Sequence, residues 1–157
     1  MKHNNAIQSR QEPLHHPELE SLNTFIGKWM NEGYTVETAG APSVKIITSD
    51  VYEWLPGRFF VLHTAYGRIG NMDVGGVEVL GYDPATRKYV SRFFDSSGNI
   101  HEAELTVNSK SWTWKGKNTG CTAMFSENGK VQTAHHIRLD ENGKWVPSME
   151  VVLTKVL

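Results

Sequence analysis

Two periods of hydrophobicity divide the chain. Across HHPELESLNTFIG, residues 15–27, Leu19, Leu22 and then Phe25 or Ile26 recur at the three-or-four spacing of one helical face. Pro17 suits a first helical position, Glu18 and Glu20 suit the positive end of a helix dipole, and Gly27 can adopt the left-handed conformation that stops a helix. The pattern predicts a short amphipathic helix of about three turns or fewer. After Gly27 the period becomes two. KWMNEGYTVET reads as a first strand, with Gly33 a bulge or a point of close backbone approach. SVKIITSDVYEWL is a second strand, and the LPGR turn, with Pro56 and Gly57 at its centre, leads into RFFVLHTAY.

Regular punctuation follows. GRIGNMDVGG reads as a longer glycine-rich connection into VEVLGY. The strands KYVSRFF, IHEAELTV, SWTWKG, CTAMFS, VQTAHHIRL and WVPSMEVVLTK come next, separated by short turns. Asn128-Gly129 and Asn142-Gly143 are strong hairpin dipeptides. Turn signals about every 8 to 12 residues mark a sandwich or a meandering barrel. About ten sequential strands joined by short hairpins leave two free edges unless the sheet closes. The expected fold is therefore all-β: a closed up-and-down antiparallel β-barrel of about ten strands, its N-terminal helix capping one end. Trp29, just inside, packs on that plug. A barrel of this size has room for side chains and one small ligand. Residues 1–13 read as a flexible arm and 14–157 as a single barrel domain.

Composition narrows the function classes. The chain has 157 residues, with 16 lysines and arginines against 17 aspartates and glutamates. That balance gives no reason to expect nucleic acid or an anionic membrane as partner. The single cysteine, Cys121, excludes an internal disulfide. The polar N-terminal stretch has no hydrophobic signal core, and no apolar run approaches a membrane span, so a cytoplasmic location is expected. Five tryptophans are many for this length, and large aromatics both fill barrels and line ligand pockets.

The stretch FIGKWMNEGYT, the hairpin LGYDPATRKYVSRFFDSSG and the terminal hairpin from Asp140 to Lys155 together resemble an uncharacterised bacterial family of lipocalin-like proteins, a domain of unknown function in the calycin group. The resemblance runs from about residue 18 to the C-terminus and implies a calycin-type barrel, with no assigned activity. Lipocalins and fatty-acid-binding proteins of that group hold hydrophobic ligands. Nitrobindins hold haem and share a glycine–tryptophan start with a ligating histidine late in the chain. Here the glycine after Gly27 and Trp29 is Gly33, so their denser glycine pattern is absent.

The candidate site follows from pointing the greasier face of each strand inward. On IHEAELTV this directs His101, Ala103 and Leu105 to the lumen. On VQTAHHIRL it directs Val131, Thr133, His135 and Ile137 inward and His136 outward. Met149 points inward on the last strand. Both faces are apolar around His63, and Arg92 is divided nearly evenly between a cavity cation that grips a carboxylate and a surface residue. Trp29, Trp114 and Met124 complete the ligand-binding candidates, beside His63, Arg92, His101, His135 and Met149. Buried histidines are ordinarily hydrogen-bonded core residues; two or three facing one cavity also suit acid–base chemistry. No metal-binding spacing occurs. The function expected first is binding of a small hydrophobic or amphipathic ligand in the barrel, without a resident cofactor. The alternatives are an isomerase, cyclase or hydratase using His101 and His135, and haem binding through either histidine. Apolar residues on both faces of several strands make a homodimer a further expectation.

Overall fold

The structure is a computed structural model describing residues 13–157. The expected N-terminal arm falls almost wholly outside the described residues. Pro17–Thr24 forms one short helix, wound tightly as a 3-10 helix, with His16 as its cap. Ten strands follow: β1 (Gly27–Thr35), β2 (Lys45–Trp54), β3 (Phe60–Ile69), β4 (Met72–Asp83), β5 (Lys88–Asp95), β6 (Ile100–Val107), β7 (Ser111–Gly116), β8 (Thr119–Phe125), β9 (Val131–Leu139) and β10 (Trp145–Lys155). Every strand pairs antiparallel with its sequence neighbours, and β10 closes on β1. The closed meander leaves no sheet edge unpaired.

The turns obey their residues. Arg58 N–H donates to Leu55 C=O at 2.9 Å across Pro56 and Gly57, and Gly57 takes the positive φ of 88° that the third position of such a turn needs. One connection differs from expectation. The segment GRIGNMDVGG is not a long loop: β3 runs to Ile69 and β4 restarts at Met72, leaving only Gly70-Asn71 between them. Both flanking runs are extended, and Gly70, at φ 61°, makes the tight reversal. The consequence for the site is large, because this hairpin sets the register of β3 on β4.

The helix seals the end of the barrel where the β2–β3 and β4–β5 hairpins lie. Leu19 and Leu22 are buried in the core. Tyr89 Oη donates to Glu18 C=O at 2.7 Å, and Trp54 Nε1 donates to Asn23 Oδ1 at 2.8 Å. Trp29 lies beneath this plug, fully buried, and its indole N–H donates to Phe25 C=O at 2.7 Å.

Gly33 belongs to the inward face of β1 and pairs opposite Val151 without a break in register, so it is a close-approach glycine and not a bulge. A Cβ there would collide with the Glu150 carbonyl and lie 2.8 Å from Val151 Cα. Both are backbone atoms, so the β1–β10 seam would have to open. Gly33→Ala should therefore cost about 1–3 kcal/mol of stability, read as a lower urea midpoint. An unchanged midpoint would mean that the seam yields freely.

Candidate functional site

The barrel lumen holds a cavity of about 390 Å³, within the range of small-molecule sites. Its walls are mostly apolar: Ile46, Leu80, Leu105, Trp112 and Val151 come from five different strands. One side is polar, and cross-strand register builds it. Tyr52, His63, Glu78, Phe93 and His101 stand directly opposite one another in sequence across β2, β3, β4, β5 and β6, so all five share the inner face. A series of rings leads inward from the plug. Phe25 stacks on Tyr52 at 5.5 Å, and Tyr52 stacks on His63 at 4.0 Å, almost parallel.

His63 is the centre of this pole. Its Nδ1 lies 2.7 Å from Glu78 Oε2 and makes their hydrogen bond. Its Nε2 is 3.5 Å from Asp50 Oδ1, close enough to feel the charge but without a hydrogen bond to any group. Burial opposes protonation of this imidazole, but contact with the carboxylates of Asp50 and Glu78 outweighs burial and raises its pKa from 6.5 to about 9. At neutral pH the cluster is thus one imidazolium between two carboxylates. Asn31 donates its amide to Asp50 Oδ2 at 2.7 Å and to Thr48 Oγ1 at 2.9 Å. Trp114 Nε1 donates to Ser91 Oγ at 2.9 Å and reaches Glu78 Oε1 at 3.2 Å. Burial first, then the nearby Asp50 and Glu78 charges, push the Tyr52 hydroxyl well above its ordinary pKa, so it stays neutral. Burial drives His136 down to about 4 against an opposing pull from Asp50, and pushes the Cys121 thiol up to about 12.

Four of the eight sequence candidates line the cavity: His63, His101, Trp114 and Met149. Trp29 lies beneath it as part of the plug packing. His101 is held by Asp95, Nε2 to Oδ2 2.8 Å, beside the hairpin at the end opposite the helix, and that bond is the first cause holding the Asp95 carboxyl below the usual carboxylate range.

The remaining three are corrected. His135 is on the outer wall, its side chain 59% exposed and 3.6 Å from Glu150, while His136 turns inward to line the cavity. The inward face of β9 is Gln132, Ala134 and His136, fixed by pairing with Leu153, Val151 and Met149 on β10. Apolarity misled because this part of the lumen is polar: buried Gln132 accepts a hydrogen bond from Trp112 Nε1 at 2.7 Å. Arg92 also points outward, toward Glu102, because Tyr89 and Ser91 occupy the inner face of β5. Met124 is exposed because β8 turns Cys121, Ala123 and Phe125 inward. The expected pair of catalytic or haem-ligating histidines, His101 and His135, is thus divided by the barrel wall.

Sequence reasoning missed Asn31, Asp50, Tyr52 and Glu78. The tight Gly70-Asn71 turn was the available signal for Glu78. Six residues back from Ile69 is His63 and six on from Met72 is Glu78, so a two-residue hairpin makes them partners. Among the described residues, no group of three histidine, cysteine, aspartate or glutamate side chains is placed to hold a metal ion, and no helix is long and apolar enough to cross a membrane.

A closed ten-stranded antiparallel barrel, plugged by one helix and holding a buried acidic pole in its lumen, defines the class of protein. Within it, the chain belongs to the family described as protein of unknown function (DUF1579), whose model matches residues 15–155. No curated protein matches the sequence. Among solved structures, the fold is similar to that of Rv2717c from M. tuberculosis, with a TM-score of 0.67 and 13% identity, covering 90% of this chain and 99% of that one. It is also similar to the S-type phycobiliprotein lyase CPES from Guillardia theta, with a TM-score of 0.54 and 12% identity, covering 88% of this chain and 92% of that one. At these identities the likeness is one of fold.

Proposed function

We propose that the protein binds a small, predominantly apolar molecule with a polar end inside the barrel. One observation carries this: a cavity of about 390 Å³ combines apolar walls from many strands with a buried polar cluster centred on His63. A lumen serving only as core would be filled by its own side chains, as protein interiors are. Buried Ala123 and Ala134 instead keep the inner faces of β8 and β9 small. The fold shared with a phycobiliprotein lyase supports the reading at the level of shape.

Binding is favoured over the expected histidine chemistry because the pairing of His101 with His135 is gone. The test is uptake of an environment-sensitive apolar fluorophore, together with native mass spectrometry of protein purified without denaturation. Wild type should take up the probe. Ala134→Leu, which adds bulk to a residue lining the cavity, should weaken uptake by about ten-fold or more while the far-ultraviolet circular dichroism stays that of the barrel. No uptake by wild type across lipids and aromatics would overturn the reading. Undiminished uptake by the variant would place the probe outside the lumen.

A further inference from the structure

Two polar side chains face the lumen with nothing to bond to. Tyr52 lines the cavity at 7% exposure, and its hydroxyl has no hydrogen-bond partner among the described residues. Half-buried His136 lines the cavity too and hydrogen-bonds to none of the described residues. Neither is sealed within the wall, as Asn31 Oδ1 and His63 Nε2 are. The two converge. Cys121 is the register partner of His136 across β8 and β9, and the Tyr52 hydroxyl reaches from β2 far enough across the lumen to interact with Cys121. Asp50 acts electrically on both groups, and Glu78 acts on Tyr52.

Charge supplies the second half of the argument. Among the described residues, no lysine or arginine lines the cavity. Asp50 and Glu78 carry two negative charges against at most one positive charge on His63, so the pole is net negative whatever the state of His63. His101 is already held by Asp95. Away from water such an excess is costly, and an opposite charge relieves it. We propose that the ligand's polar end is a protonated amine, whose N–H groups donate to the Tyr52 hydroxyl oxygen and to a ring nitrogen of His136 in the field of Asp50 and Glu78. The inference rests on the binding function proposed above and names the chemistry of the ligand's head. An ammonium has donors only, and a tyrosine oxygen and an uncharged imidazole each offer it a lone pair. The indole N–H groups of Trp112 and Trp114 are already given to Gln132, Ser91 and Glu78, so these residues present their rings, which attract a cation. A carboxylate would add a negative charge to the same pole. A hydroxyl could bond to both groups but gains nothing from the charge.

The experiment holds the body constant and changes the head. n-Octylammonium, n-octanol and n-octanoate compete against an uncharged fluorophore bound to the wild-type protein at pH 8. There an alkylammonium is still charged, and a histidine without a carboxylate partner is neutral even at its ordinary pKa. n-Octylammonium should bind about ten-fold or more tightly than n-octanol, and n-octanoate weakest of the three. Tyr52→Phe keeps the ring, removes the hydroxyl, and should lose about ten-fold in n-octylammonium affinity, the scale of a hydrogen bond to a charged group. Nitrogen NMR of isotope-labelled histidine in the wild type gives an independent reading, and decides the matter if the variant loses the circular dichroism of the barrel. n-Octylammonium should shift the His136 ring resonances and n-octanoate should not. n-Octanol or n-octanoate binding as tightly as the ammonium would overturn the head-group assignment and leave cavity binding standing. So would undiminished ammonium affinity in folded Tyr52→Phe, or a His136 resonance that does not move. Fluorophore uptake that no octyl compound displaces would overturn it as well. If the fluorophore is not taken up and no octyl compound binds, the binding function fails and this inference fails with it.

Discussion

Trp29→Ala should lower the free energy of unfolding by about 3–5 kcal/mol, the scale of emptying a large aromatic site from a core. Trp29 is the largest fully buried side chain, at 0% exposure. It joins three parts of the molecule. Its ring packs within the core cluster that includes Leu22 and Phe25 from the plug, and the Lys155 ammonium of β10 lies 5.2 Å from the ring centroid. Its N–H satisfies the Phe25 carbonyl just past the helix, a group that a helix end leaves without a partner. Alanine removes all of this, and the loss should appear in equilibrium urea unfolding followed by circular dichroism. Trp29→Phe separates the contributions. It keeps most of the buried area and loses the hydrogen bond, so about 1–2 kcal/mol is expected. A loss below about 1 kcal/mol for Trp29→Ala would show that the plug docks without its floor.

Trp29 was legible from the sequence because its signals are local. A helical stripe, Gly27 and an immediate change to period two place a tryptophan just inside a capped barrel end, and the structure puts it there. The strand count and closure were legible for the same reason, since nearly every connection carries its own turn chemistry. The lumen was harder to read because its inner face is not uniformly apolar. On β9, Gln132 and His136 are inside while Thr133 and His135 are outside, and no hydropathy rule separates those pairs. Asp50 and Glu78 carry charge, and charge alone assigns a residue to the surface. What buries them is a relation between strands, Asp50 with Asn31 and Glu78 with His63, and only register reveals it. Hydropathy within a single strand misplaces His135, Arg92 and Met124 for the same reason.

That relation makes His63 the second position of large effect. His63→Leu should destabilise the barrel by about 3–5 kcal/mol at pH 6, because it leaves two buried carboxylates without the cation between them. The triple replacement Asp50→Asn, His63→Leu, Glu78→Gln should recover much of the loss, since it removes the charges along with their counter-charge. Charge is thereby separated from the packing of His63 on Tyr52. The pH dependence has a definite sign. Folding raises the His63 pKa from 6.5 to about 9, so the stabilisation from its proton is complete below pH 6.5 and is lost as pH rises through 9. Half-buried His136, held down to about 4, costs stability as pH falls below 6.5, and Tyr52 stays neutral throughout this window. The informative quantity is accordingly the difference between wild type and His63→Leu, in which those contributions largely cancel. That difference should shrink between pH 6.5 and 9.5 by an amount on the order of 3 kcal/mol. A difference constant across this range would mean that His63 is buried neutral.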